Sequence, residues 1–391
     1  MIYKILFLLS ILATDVSFAL SVYDAGDSVK LIAEGITVLL FVCAIVKNLN
    51  YRTRNVNVIR VWITALCLIP VLALLVPDGF SKIALGDFRE LFIPFAITYS
   101  AFHLLKLKEK DIKIGMILIG FVSIFTAIFI LVNTGGFEIE TIYRDEVAKN
   151  QTAPYFAAVG TICLALGFSG KKNVFFLSYF IIIFLVCLGY CMILRARTAT
   201  LVMLAITLII LYKNYHTKLL IIVPVLAIVL GPLCADQIEV FFSDSIVGEA
   251  DASDMDDLTN GRTGRMEQSG EFILSHPLTG ALSQSGESFN IWMGRYPIVH
   301  NYLMWKLVKY GFIFALPFIL VYFSVLKSAF RMFRASWGKY KYAIICVLVA
   351  FITSLSEYSA PFGPGTSFIL SYSIYGAYLY KFNERSVSIK R

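Results

Sequence analysis

The chain has 391 residues, of which 58% are hydrophobic and only 15% charged, and its formal net charge is +8. A soluble domain carries about a quarter charged residues, and the apolar residues here gather in runs near the ~20 needed to cross a bilayer, so an ordinary water-soluble enzyme is excluded. The seven cysteines fall almost entirely inside these runs and form no CxxC pair; they read as small apolar residues, with no disulfide framework and no metal site.

The first run, 3–22, follows Lys4 and contains the segment FLLSIL, as a signal peptide would. Asp15 interrupts it and no clean small-x-small cleavage site follows, so it is expected to stay as an uncleaved first span. Further spans are expected at 29–46, 61–77, 88–105, 113–133, 153–169, 173–194, 198–212, 219–235, 300–325, 342–357 and 365–381. Backbone polar groups in lipid need internal partners, so each span should be a helix. The expected fold is therefore all-α: a polytopic integral membrane protein of about twelve transmembrane helices with one large outer loop containing short amphipathic helices. Residues 1–235 hold nine of these helices, 236–299 the large loop, and 300–391 the last three helices and a tail.

Lys and Arg alternate between connections. One set holds Lys47, Arg52, Arg54 and Arg60, then Lys106, Lys108, Lys110 and Lys113, then Lys171 and Lys172, Lys213 and Lys218, Lys327 through Lys341, and the tail from Lys381 to Arg391. With twelve spans this alternation has no exception, and the positive-inside rule then places both termini in the cytoplasm. The net positive charge is explained by the same bias toward the anionic cytoplasmic leaflet, and no nucleic-acid partner follows from it.

Two outer loops are longer than a connection requires, and long loops commonly carry function. Thr134 to Gln151 includes Arg144 and Lys149, and Asp236 to Val299 is the largest polar segment. The second opens acidic, from Asp236 to Asp257, which lacks the glycine and oxygen spacing of a calcium loop and reads as a solvated linker. Between Asn260 and His276, Met266, Phe272 and Ile273 recur at helical spacing, so a short amphipathic helix is expected before the His276-Pro277 turn.

Several charged residues at the outer face invite a functional reading. Arg195 and Arg197 stand at the outer seam of the seventh and eighth spans, where cations break the positive-inside pattern; they mark a pathway for an anionic substrate, or they snorkel. Arg262 and Arg265 are three apart and share a helix face, an arrangement suited to two guanidinium forks on a pyrophosphate and equally to an exposed basic patch. His300, at the mouth of the tenth span, carries a group able to accept a proton near neutrality, although a lone histidine at a helix start is often structural. Asn301 beside it suits either a sugar hydroxyl or the cap of the helix. Lys306 and Lys309 should face the protein interior, with Glu357, Arg89 and Glu90 as further intramembrane charges of interest. No ATP-binding P-loop is present.

The stretch NGRTGRMEQSGEFILSHPLTGALSQSG followed by VHNYLMWKLVKYGFIFALPFIL resembles the motif region of the O-antigen ligase and polymerase superfamily of bacterial inner-membrane proteins. The matching pieces are Gly261-Arg262, His276-Pro277-Leu278-Thr279-Gly280, His300-Asn301 with Leu303, and Gly311; ARTATL around Arg197 and AKNQTAPYFAA are similar to further family elements. Ala281 and Met266 depart from the family pattern, and Arg195 and Arg197 compete for the register of the mid-chain arginine.

The resemblance implies a glycosyltransferase at the periplasmic face of the inner membrane, without metal, nucleotide or other cofactor. It would move a glycan from an undecaprenyl-pyrophosphate carrier to an acceptor. Arg262 or Arg265, with Arg197, would hold the diphosphate, and His300 would be the general base. Asn301, Arg195, Arg144 and Lys149 are candidate substrate contacts. Polymerisation of a surface polysaccharide, as O-antigen, exopolysaccharide or capsule, is the first expectation, and ligation of polymer to lipid A–core the alternative. Beyond the lipid-linked oligosaccharide, the acceptor and the bilayer, a chain-length regulator and a flippase of the same pathway are candidate partners. A flippase or transporter is a more distant reading, disfavoured because residues 1–195 and 196–391 show no repeat.

Overall fold

The computed structural model describes residues 1–21, 26–48, 56–76, 79–83, 85–133, 149–169, 173–194, 196–215, 262–283, 300–357, 360–363 and 367–388. Among these residues there is no strand. The helices are α1 (Ile2–Leu20), α2 (Gly26–Asn48), α3 (Asn57–Ala73), a single turn α4 (Gly79–Lys82), α5 (Leu85–Leu104), α6 (Glu109–Asn133), α7 (Lys149–Gly167), α8 (Val174–Ile193), α9 (Arg197–Tyr215), α10 (Arg262–Ser275), α11 (Tyr302–Ala335), α12 (Trp337–Thr353) and α13 (Ile369–Ser388), with a 3₁₀ turn at Gly280–Ser283. Eleven of the expected spans coincide with helices here, while the one at 219–235 lies outside the described residues.

Among the described residues six helices, α1, α2, α6, α8, α9 and α11, are long and apolar enough to cross a membrane, and α3 and α7 are apolar but shorter. The surface agrees with this composition. On α6 the residues Ile114, Leu118, Phe121, Phe125, Ile128 and Val132 are exposed, whereas Met116, Ile119, Ser123 and Ile130 are buried. An apolar stripe turned outward at helical spacing is a cost in water and the natural face toward lipid. The chain is built as a multi-pass helical membrane protein. In α5 the first turns are charged, with Asp87, Arg89 and Glu90, which lowers its apolar length.

The bundle closes around α7, whose residues from Ala153 to Leu166 are buried throughout. Helix α7 packs on α6, α8, α9 and α12; α1 lies between α2 and α6; α13 joins α5 to α12; and α11 joins α3 to α12. Alanines 153, 157, 158 and 165 let neighbouring backbones approach α7 closely, which is how packing is gained between helices in lipid. Trp62 ties α3 to α5 by donating from Nε1 to Leu91 O at 3.0 Å, and its ring meets Phe362 and Tyr372 edge-on.

Polar contacts group the helix ends in two sets. At one end Lys4 pairs with Asp111 at 2.8 Å, and Lys341 donates to Ser169 at 2.8 Å. There, too, Tyr342 donates to Glu109 at 2.9 Å, and Ser169 donates to the same carboxylate. Of these, Glu109, Asp111 and Lys341 belong to the Lys-rich connections that the charge alternation puts on one side. The other end carries the starts of α5, α9 and α11 and the residues following α12.

Candidate active site at one end of the bundle

Helix α11 is broken at Gly311, whose φ of 62° and ψ of −177° are far from helical. Only glycine adopts such a conformation at little cost. The break frees backbone N–H groups, and the HPLTG turn receives them: Phe312 donates to Pro277 O at 2.8 Å and Ile313 to Leu278 O at 3.2 Å. Gly280 is itself at φ 53°, and a Cβ there would come within 2.5 Å of Gly311 N. A Cβ on Gly311 would run into the backbone of Leu278 and Thr279. The two glycines of the motif are therefore there for backbone-to-backbone contact.

Helix α10 leads into that turn and rests on α11. Phe272 packs with Val308, flanked by Ile273 and Met304, and stacks on His276 with ring centroids 4.5 Å apart. The expected amphipathic helix is present, but Met266 is exposed, so the packed stripe is Ser269, Phe272 and Ile273. Arg265 shares a face with Ser269 and Phe272, four and seven residues on, and is half-buried. Arg262 opens the helix, one turn before Arg265.

Asn301 caps α11: its Oδ1 accepts from Met304 N at 3.1 Å, while Nδ2 donates to Leu355 O at 3.3 Å. Both ends of this amide are thus engaged. Tyr302 N donates to Ser354 O at 3.0 Å, so the start of α11 is docked on the residues that end α12. This docking sets His300 beside Glu357, with Nδ1 to Oε2 at 3.9 Å; the histidine is partly exposed and the carboxylate buried. Neither of those two atoms has a hydrogen bond of its own among the described residues. Next to Glu357, Ser356 Oγ donates to Thr198 Oγ1 at 2.6 Å, which brings in the first turn of α9. Arg197, half-buried, opens that turn.

Behind this front lies a buried ionic cluster. Lys306 Nζ, 1% exposed, donates to Glu90 Oε2 at 2.7 Å and Asp87 Oδ1 at 3.1 Å, and Lys309 donates to Asp87 Oδ2 at 2.7 Å. Two lysines and two carboxylates balance, as burial of charge demands. Lys306 also lies over the rings of Phe318, at 4.6 Å, and Tyr302, at 5.3 Å. Glu34 and Arg89 form a further pair between α2 and α5, and Lys82 reaches Leu282 O at 3.4 Å next to the glycine turn.

Of the residues singled out in the sequence, the structure gathers His300, Asn301, Arg197 and Glu357 around the start of α11, and places the Arg265 helix against the same half of α11. Arg144 and Arg195 lie outside the described residues, and the side chains of Lys149 and Arg262 do too, although their backbones open α7 and α10. Sequence reasoning missed Asp87, whose signal was present: Asp87 and Glu90 are three apart on one helix, matching the spacing of Lys306 and Lys309 on the other. It also paired Glu357 with nothing. Among the described residues no three His, Cys, Asp or Glu side chains are grouped as metal ligands would be.

No protein-family model matches the chain, and no curated protein is significantly similar to it.

Proposed function

We propose that this protein is a membrane glycosyltransferase that moves a glycan from undecaprenyl pyrophosphate to an acceptor glycan, acting as a polymerase of surface polysaccharide. The observation that carries the reading is the meeting of three elements at one end of the bundle: the His300–Glu357 pair, the Arg197 helix start, and the HPLTG turn lodged against Gly311. The motif resemblance and this clustering support each other. In the same reading the chain crosses the bacterial inner membrane twelve times with both termini cytoplasmic, and this end of the bundle faces the periplasm.

The chemistry needs few groups. The acceptor hydroxyl attacks the anomeric carbon of the donor, a C–O bond forms, and the bond from that carbon to the phosphate oxygen breaks. His300 takes the hydroxyl proton as general base, and Glu357 beside Nδ1 steadies the imidazolium that results. The electron pair leaves on the diphosphate, where Arg197, Arg262 and Arg265 offset its charge. Asn301 holds the backbone on which His300 stands.

The test is genetic and chemical. Deletion of the gene in its native host should abolish long surface chains and leave single repeat units on the core. Wild type should restore them, while His300→Ala, at equal membrane abundance, should lower polymer at least ~100-fold for loss of the base, and Arg265→Ala should lower it for loss of positive charge on the diphosphate. Loss of all attached glycan with polymer retained on the carrier would assign ligation instead. Full restoration by both variants, or a deletion without effect on any surface glycan, would end the catalytic reading.

A further inference from the structure

A second site stands at the opposite end of the bundle. From Phe312 to Arg331 helix α11 rises roughly 28 Å at 1.5 Å per residue, about the thickness of the hydrocarbon core. There α3, α11 and α13 enclose a groove of about 460 Å³. Its walls are apolar, with Val61, Leu320 and Phe323, and its rim carries Arg60, Lys327 and Arg331. All three cations are exposed, and among the residues whose side chains are described no carboxylate pairs with any of them. Ser324 and Ser328 lie between rim and wall, and Ser328 is buried.

Positive-inside bias by itself puts cations at this end of a bundle, but it does not require them to frame a cavity. Here three converge on one groove that also presents the hydroxyls of Ser324 and Ser328 and whose sides are apolar. A free phosphate would be served by the rim alone and would leave the apolar walls without a partner. A lipid satisfies both parts, its phosphate on the cations and its acyl chains along Leu320 and Phe323. Basic pockets between transmembrane helices on the cytoplasmic side bind anionic headgroups in just this way.

We propose that this groove is a binding site for an anionic phospholipid, held by Arg60, Lys327 and Arg331 and received by the hydroxyls of Ser324 and Ser328. The site is separate from the glycan chemistry and does not depend on it.

The experiment uses the full chain in nonionic detergent, with binding of short-chain phosphatidylglycerol, short-chain phosphatidylcholine and inorganic phosphate read by the shift in thermal midpoint and by native mass spectrometry. Each cation near an anionic headgroup is worth about fivefold in affinity. Wild type should therefore prefer phosphatidylglycerol over phosphatidylcholine by at least ~10-fold, and inorganic phosphate at the same concentration should not compete. The triple variant Arg60→Gln/Lys327→Gln/Arg331→Gln should erase the preference. Because these side chains are exposed, its ligand-free midpoint should match wild type; should it unfold, Ser324→Trp fills the groove with all cations kept and should likewise cut binding ~10-fold. Equal binding of the two lipids by wild type would overturn the proposal. So would full competition by phosphate, or a preference that survives both the charge variant and the filled groove.

Discussion

Two buried acidic centres in this bundle are satisfied in opposite ways. Asp87 and Glu90 meet Lys306 and Lys309 in a balanced ionic cluster between α5 and α11. Asp15, fully buried in α1, has no cation among the described residues; its Oδ2 accepts from Ser123 Oγ at 2.6 Å and from Tyr155 OH at 3.2 Å, and Thr126 is a third hydroxyl beside the carboxyl. The contrast separates two uses of an acid inside a membrane protein. A charged group there needs an opposite charge, whereas a carboxyl held by hydroxyls and packed between α1, α6 and α7 works as a polar join between helices. The first lies directly behind the candidate site.

The comparison breaks or sharpens in order of size. Lys306→Met strands Glu90 without a cation and leaves Asp87 with one, and should cost about 3–5 kcal/mol, the usual penalty for breaking a buried pair. Unfolding in SDS titrations reads this, and adding Glu90→Gln to Lys306→Met, which leaves Asp87 paired with Lys309, should recover most of the loss. A cost within ~0.5 kcal/mol of zero would show that the cluster is wet and loosely held. Asp15→Asn should cost only about 1 kcal/mol in the same titration, since the amide still accepts from Ser123 and Tyr155. A loss as large as that of Lys306→Met would mean that Asp15 is a paired charge and the two centres are alike. Tyr155→Phe, which removes one donor, is expected at about 0.6 kcal/mol, the average for such bonds between membrane helices, and an effect above that of Asp15→Asn would reverse the roles of acid and donor.

Much of the helical layout was legible in the sequence because apolar run length reports directly on membrane helices. The positions of Lys306 and Lys309 as interior residues followed from the cost of facing lipid. Their partners were harder, because Asp87 lies before the fourth apolar run and reads as part of a polar connection. The His300–Glu357 proximity was not legible, since it depends on Asn301 and Tyr302 bonding to Leu355 and Ser354, contacts that no local pattern announces. Asn301 left two readings open from sequence, and its geometry is that of a cap.

The break at Gly311 also divides α11 by length. Phe312 to Ala335 is 24 residues, roughly 36 Å of helix, enough by itself to cross a core of about 30 Å. The nine residues from Tyr302 to Tyr310 are thus not needed for the crossing and form an arm of about 13 Å with His300 at its tip. Its pivot is a glycine seated on the turn Pro277–Gly280, and its flank is pinned through Lys306 and Lys309 to α5. The angle of that arm is set by the turn and by α5, and the contacts of Asn301 and Tyr302 with Leu355 and Ser354 hold the histidine at its tip, while the longer half of the helix stays fixed as the anchor.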